Sequence, residues 1–300
     1  MIQYVVFIIN VDGQSSGENV QEHGQALMTF ARADRGVTLD TLRDNATFAQ
    51  QQAALYANKS NNPVSILDEA PCGTAYVPLS MVVNSTTAKE LVAMAAAHVH
   101  ASKAPYKKTL EQQLVFLQDY PDRVSQMELI VVDQFAATTV APMPDTTYVT
   151  LSASPQHLLS RGSVHINSSD ASLPPIIDLN SFSVPYDVEL AVAGLKFLRK
   201  IAAAKEYAGI FGPEVAPGPG VDLRSYTVGK GYGVEYHTVG SSSMLPRDQG
   251  GVVDSFLKVY GTSNVRVVDA SIIPLHLSAH PSSSVYGIAE KAADIILSGR

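Results

Sequence analysis

Segments with a strand-like pattern of apolar residues alternate along this chain with segments that have a helix-like pattern. This mixture constrains the fold more than any other feature. Residues 127–132 and 147–151 are short runs rich in β-branched side chains, which is typical of strands. Val188, Val192 and Leu195 instead recur every three or four positions, as on one face of a helix. The chain has no fixed-period repeat and no low-complexity tract. The sequence therefore predicts an α+β fold.

The composition excludes several classes of protein. The 300 residues carry a formal net charge of −7, and 46% are hydrophobic while 16% are charged. This is enough apolar material for a large core and too little charge for a disordered chain. An acidic chain lacks the basic surface that nucleic acid requires, and no run of about 18 apolar residues predicts a membrane-spanning helix.

The chain also offers few motifs for metal or nucleophile chemistry. Cys72 is the single cysteine, which excludes an internal disulfide and any site built from several cysteines. The sequence contains no H-E-x-x-H motif and no G-x-S-x-G elbow, so neither a metal site nor a serine hydrolase is predicted. Eight histidines leave histidine-based chemistry open.

Local signals predict most of the helices and strands. Helices are predicted over 38–56, 87–100, 110–118 and 187–207 and from Pro281 onward, with a capping box at Thr87 and a cap at Asp187. Strands are predicted over 1–10, 127–132, 147–151, 162–166 and 264–269, the last a buried strand ending in Asp269. The turn-rich segments 57–85 and 212–220 are predicted to be loops.

Residues 236–294 contain the most informative motifs. In order, they are YHTVGSSSM (236–244), GGVVD (250–254), VYG (259–261), VRVVDASIIP (265–274) and AHPSSSVYGIAEKAAD (279–294). Together these motifs resemble the C-terminal signature of the glucose–methanol–choline (GMC) flavoprotein oxidoreductases, a family that includes aryl-alcohol oxidase, choline dehydrogenase and glucose oxidase. Two further segments resemble the same family, SRGSV with PIIDLN (160–164 and 175–180) and GENVQEH (17–23).

The resemblance implies a particular domain arrangement. Residues 26–240 would form a substrate-binding domain, an antiparallel sheet with helices. Residues 241–300 would be the C-terminal part of an FAD-binding α/β domain, and residues 1–25 a remnant of that domain or a linker. The family's G-x-G-x-x-G motif, which grips the pyrophosphate of FAD, is absent from this sequence. We therefore expect the chain to be the C-terminal half of a member, with an uncovered strand edge and helix face within 250–300.

The resemblance also assigns roles to individual residues. His237 would be the base that accepts the proton of an alcohol, and His280 would orient the substrate and stabilise the developing alkoxide. Asp269, Ala270, Pro281, Ser282 and Ser283 would contact FAD. Local alternatives stay open, because Asp269 could simply cap the next turn and the serines could cap an ordinary helix. The remaining histidines are interpreted as structural: His23, His98, His100, His157, His165 and His276.

These observations lead to one main functional hypothesis and two alternatives. The resemblance implies an FAD-dependent oxidoreductase acting on the CH–OH group of a small-molecule alcohol, with no nucleic-acid or membrane partner. The alternatives are a fragment that is inactive because it lacks the pyrophosphate site, and a plain binding module. The oligomeric state stays open. Four N-x-[ST] sequons, at Asn45, Asn58, Asn84 and Asn167, slightly favour a secreted parent, although this chain shows no signal peptide.

Overall fold

A computed structural model describes residues 15–34, 36–58, 64–68, 72–103, 105–170 and 172–299. The strand predicted over residues 1–10 lies outside these ranges. Across them, the fold is α+β, as predicted, with helices packed on an antiparallel sheet.

A six-stranded antiparallel sheet forms the centre of the molecule. Its strands are β1 (Gly24–Arg32), β2 (Cys72–Val77), β3 (Met127–Val132), β4 (Tyr148–Pro155), β7 (Phe211–Ala216) and β8 (Tyr232–Val234). They run in the order β2-β3-β4-β1-β7, and β8 pairs with the other end of β1. The two remaining strands, β5 (Ser163–His165) and β6 (Ile176–Asp178), form a separate antiparallel pair.

The helices connect the strands and cover the sheet. They are α1 (Asp40–Asp44), α2 (Ala46–Ala57), α3 (Leu79–Val82), α4 (Ser85–Ala101), α5 (Lys107–Asp119), α6 (Pro185–Ala202), α7 (Leu223–Val228) and α8 (Ser282–Leu297). Helix α6 packs on β1 and β4, and α4 packs against α5 and α6. Among the described residues, we find no helix with the length and apolar character needed to cross a bilayer.

The main core lies between α6 and the sheet. Every position of β4 is buried, and Leu190 and Leu195 of α6 share this core with Met28 of β1. Gly194 explains the close approach of the helix, because a Cβ there would lie 2.7 Å from the Cβ of Ala153 and 2.9 Å from the Cε of Met127. The helix can therefore lie this near the sheet only with glycine at position 194.

A second, smaller core lies within residues 241–299. It consists of Val252, Val253, Leu257, Val259, Val267, Ile272 and Ala292. This part of the chain is mostly irregular, with α8 as its long regular element. Ala292 is the buried residue of α8, whereas Tyr286 and Leu297 are 78% and 86% exposed.

Several local predictions are confirmed, and the helix starts are the main source of error. Strand β3 and helix α5 lie where the sequence predicts them. The helix predicted over 38–56 is two helices, because Asn45 leaves the helical conformation and accepts a hydrogen bond from the Phe48 amide. The apolar residues Leu39, Leu42, Ala46, Ala49 and Ala53, whose spacing predicts one buried face, form no such face, since α2 buries none of its side chains.

Both predicted helix caps are wrong, because each helix begins before the residue that was predicted to cap it. Asn84 caps α4 by accepting a hydrogen bond from the Thr87 amide, so Thr87 lies inside the first turn. Helix α6 begins at Pro185, and the Asp187 carboxylate is turned away to accept hydrogen bonds from the amides of Leu159 and Ser160. The same helix ends at Ala202, before the predicted end at 207.

Three predictions about strands are wrong. The segments 57–85 and 212–220 contain β2 and most of β7. Residues 264–269 form no strand, because the segment makes only the isolated bridge between Lys258 and Arg266. Val267 is buried there, but Val268 and Asp269 are exposed.

Candidate active site

The two histidines predicted to be catalytic lie side by side. The ring centroids of His237 and His280 are 4.4 Å apart, with their planes tilted by 55°. His237 follows β8 after Tyr236, whose positive φ of 61° turns the chain. His280 lies immediately before the start of α8. The His237 side chain is 16% exposed and that of His280 is 47% exposed, so the pair lies at the edge of the buried interior.

The backbone of His237 is held from two sides. Its amide donates to Oε1 of Glu22 at 2.9 Å, and the Thr238 hydroxyl donates to Oε2 of the same carboxylate at 2.5 Å. Nε2 of His276 lies 2.8 Å from the His237 carbonyl oxygen, and because a carbonyl only accepts, Nε2 carries the proton. Burial lowers the pKa of His276 to about 2, so this supporting imidazole is neutral.

Glu235 lies behind His237, and its carboxylate contacts two imidazoles. Its Oε2 is 3.3 Å from Nδ1 of His237 and 3.3 Å from Nδ1 of His23, and the Glu235 side chain is only 3% exposed. Burial raises the pKa of this carboxyl, but the contacts with His23 and His237 outweigh burial and lower it to about 2. Glu235 is therefore ionised at neutral pH, and its charge favours a proton on the facing imidazole nitrogens.

A second buried carboxyl, Glu128 on β3, stands behind His280. Its Oε1 lies 3.0 Å from Nε2 of His280, and its side chain is fully buried. Burial raises the pKa of Glu128, and the negative charge of Glu235 raises it further. Each histidine of the pair thus has its own carboxyl partner, and the environments of the two carboxyls differ.

Apart from the ion-pair contacts given above, several buried polar atoms in this cluster make no hydrogen bond among the described residues. They are Nδ1 and Nε2 of His23, Oε1 of Glu128, both carboxylate oxygens of Glu235, and Nδ1 of His237. Two sets of side chains present ligand atoms within 4.8 Å of one another, His23 with Glu235 and His237, and Glu128 with Glu235 and His280. We refer to these five residues as the histidine–glutamate cluster. Although the sequence contains no metal-binding motif, the donor sets of this cluster could hold a cation.

The residues predicted to contact a cofactor lie at the start of α8 and in the turn before it. Pro281 is buried at the helix start, Ser282 and Ser283 are exposed, and no described side chain caps this helix. The unpaired amides of its first turn form a positive end next to His280. Asp269 is exposed and accepts hydrogen bonds from the amide and hydroxyl of Ser271, at 2.8 and 2.5 Å, so it does cap the next turn. Ala270, which follows Asp269, is partly buried.

No sequence motif singles out Glu128 or Glu235, and the sequence context of His23 and His276 is that of structural histidines. In the structure His23 belongs to the cluster, and His276 stacks on it with ring centroids 3.6 Å apart. One signal was available for Glu128, because it is a lone charge in the apolar strand MELIVV. The remaining contacts join residues far apart in the chain, and spacing alone does not reveal them.

This arrangement suits proton transfer. An imidazole whose Nδ1 proton faces a carboxylate keeps a lone pair on Nε2, so His237 can accept a proton there. His280 is more exposed and can donate a hydrogen bond to an oxygen placed between the two rings.

Comparisons with known proteins agree with these observations. The family model described as GMC oxidoreductase matches residues 159–289. A dehydrogenase of Armillaria gallica is 33% identical over 95% of this chain and 45% of its own length. A GMC oxidoreductase family protein of Malassezia sympodialis is 33% identical over 96% of this chain and 43% of its own.

Solved structures show the same likeness. A fungal aryl-alcohol oxidase superposes with a TM-score of 0.72 and 28% identity, over 96% of this chain and 49% of that one. An FAD-dependent oxidoreductase from Chaetomium thermophilum has the same fold, with a TM-score of 0.77 and 23% identity, over 97% of this chain and 49% of that one. The chain thus spans about half the length of the curated relatives that it matches. From the family match, the relatives and the fold together, we conclude that this chain belongs to the GMC oxidoreductase family.

Proposed function

We propose that this chain provides the substrate side of the active site of an FAD-dependent oxidoreductase that oxidises the CH–OH group of a small alcohol. The observation that carries the proposal is the pairing of His237 with His280 at 4.4 Å, next to the uncapped start of α8. Family membership and the likeness to an aryl-alcohol oxidase support this choice of chemistry.

The residues at this surface fit the flavin end of FAD. The first-turn amides of α8 and the hydroxyl groups of Ser282 and Ser283 are exposed donors, which suit a carbonyl oxygen that gains negative charge. Ser282 and Ser283 would hold the flavin ring, and Asp269 and Ala270 would contact the remainder of the cofactor. When bound, FAD supplies the acceptor of the hydride.

The chain's own contribution is to remove the hydroxyl proton. Glu235 keeps the Nδ1 proton of His237 facing inward, so Nε2 accepts the proton of the alcohol. The resulting imidazolium is stabilised by the ionised Glu235 carboxylate 3.3 Å away. Nε2 of His280 faces Oε1 of Glu128, so His280 in its doubly protonated form would donate a hydrogen bond from Nδ1 to the substrate oxygen and stabilise the developing alkoxide.

Flavin reduction in an enzyme that includes this sequence tests the roles of the histidines. We expect His237→Ala to lower the rate of flavin reduction by an alcohol about 10²–10⁴-fold, with a much smaller change in alcohol affinity, because it removes the base and leaves the pocket. The matched control is His100→Ala, an exposed histidine on α4, which should leave the rate unchanged. An unaltered reduction rate in His237→Ala would remove His237 from the base role.

Flavin retention by the 300-residue chain separates the active and inactive alternatives. After incubation with excess FAD and desalting, we expect the absorbance spectrum to show little bound flavin, since the sequence has no glycine turn for the pyrophosphate. Retention of stoichiometric flavin would contradict this expectation and would show that residues at the start of α8 suffice.

A further inference from the structure

We propose that His23, Glu235 and His237 form a binding site for one divalent transition-metal ion, such as Zn²⁺. One carboxylate oxygen, Oε2 of Glu235, lies 3.3 Å from Nδ1 of His23 and 3.3 Å from Nδ1 of His237. The three ligand atoms lie within 4.8 Å of one another. Two imidazole nitrogens and one carboxylate oxygen are a common ligand set for zinc, which completes its coordination with water.

The two distances match a tetrahedral site. Zinc bonds to imidazole nitrogen and carboxylate oxygen are about 2.0–2.2 Å long, so neighbouring ligands of a tetrahedral ion are separated by about 3.3–3.5 Å. The same separation is long for a charge-assisted hydrogen bond, for which about 2.7–2.9 Å is usual. An ion beside Oε2 of Glu235 would therefore lie within reach of both imidazole nitrogens, which are themselves no more than 4.8 Å apart.

The ligand atoms are buried and, beyond the two 3.3 Å contacts with Glu235, make no hydrogen bond among the described residues. His23 is 1% exposed, and neither of its ring nitrogens has a hydrogen-bond partner among the described residues. Both oxygens of Glu235 and Nδ1 of His237 are unpartnered in the same way. Burying polar atoms without hydrogen bonds is destabilising, and a cation would bind one atom from each of the three side chains at once.

The backbone holds this ligand set in place. The Glu235 amide donates to the His23 carbonyl at 3.1 Å, which continues the pairing of β1 with β8 beyond Gly24 and Val234. His276 stacks on the His23 ring and also contacts the His237 carbonyl. The ligands are therefore positioned before an ion arrives, which reduces the entropy lost on binding.

The alternative set, Glu128 with Glu235 and His280, is less suitable. Both sets use Glu235, so they compete for a single ion. The His280 side chain is half exposed, and its Nε2 already lies 3.0 Å from Glu128. Glu128 instead lies beside Glu235 and supports the site from there.

A bound ion would change the chemistry of His237. Coordination uses the lone pair of Nδ1, so the single proton of the neutral imidazole must then lie on Nε2. Nε2 could no longer accept the proton of an alcohol, and the ion would act as a reversible inhibitor. This consequence rests on the proposed function, whereas ion binding itself does not.

Cobalt binding to the purified chain tests the site without flavin or alcohol. Chelator-treated chain is titrated with CoCl₂, and the visible ligand-field bands of four-coordinate cobalt are recorded, followed by competition with ZnCl₂. We expect the bands to appear and zinc to abolish them. His23→Gln and Glu235→Gln should each weaken cobalt binding more than about tenfold, because even the outer partners of metal ligands contribute 10–100-fold.

Matched variants make the test specific. His100→Gln carries the same substitution at an exposed histidine, and His280→Asn alters only the competing set, so both should keep the bands. Circular dichroism of each variant shows whether it is folded, and Glu235→Gln serves if His23→Gln is not. Absence of the bands in the unaltered chain overturns the proposal. So do bands that disappear only in His280→Asn, and bands that no variant affects, which indicate adventitious surface binding.

Discussion

The central sheet with α6 and the segment 241–299 are built differently. In the sheet region, β4 is buried at every position and α6 buries most of its length. In the C-terminal segment, α8 contributes only Ala292 to the buried residues, and Tyr286 and Leu297 lie largely in solvent. The first region therefore gains its stability from its own core, whereas α8 gains much less from contacts with the described chain. The candidate site joins them, because His237 follows β8 of the sheet and His280 precedes α8.

The same substitution in the two regions should have very different effects on stability. Leu195→Ala, in the core beneath α6, should lower the free energy of unfolding by about 2–5 kcal/mol, since it leaves a cavity. Leu297→Ala on α8 should change it by less than about 0.5 kcal/mol, because this side chain is already exposed. Urea unfolding of both variants measures the difference, and equal losses would contradict the contrast between the regions.

The exposed apolar residues of α8 should affect association more than stability. We expect Tyr286→Ser with Leu297→Ser to reduce binding of a hydrophobic dye and self-association, because it removes apolar surface from one helix. Leu173→Ser, at an exposed leucine away from α8, is the control and should have a smaller effect. Dye fluorescence and light scattering measure both properties. An equal effect of the control would show that α8 is not the surface responsible for dye binding and self-association.

Elements that depend on local apolar spacing were predicted from the sequence, whereas those that depend on pairing with distant residues were not. Helix α5 and strand β3 are determined by their own apolar spacing, and the sequence was sufficient to predict them. Strand β7 was missed because Gly212 and Pro213 resemble a loop, although pairing with β1 holds them in an irregular strand. Residues 264–269 show the opposite error, since this apolar run makes only an isolated bridge and two backbone hydrogen bonds with 257–259 and forms no regular ladder.

The residues of the candidate site also differ in whether the sequence alone points to them. Family resemblance was enough to select His237 and His280, and the structure brings their rings together. It offered no reason to select Glu128 and Glu235, whose contacts with the histidines depend on how β3, β8 and the start of α8 meet. The role of His23 was missed for that reason too, because a histidine before a strand is ordinarily structural.

The most direct test of the central claim is a double-mutant cycle on His237 and His280, measured as the rate of flavin reduction by an alcohol in an enzyme that includes this sequence. If the two regions form one proton-transfer site, His237→Ala and His280→Ala should be strongly non-additive, and the double variant should be about as slow as His237→Ala alone. If the double variant instead loses the product of the two single effects, the histidines act independently, and the account of a single site is wrong.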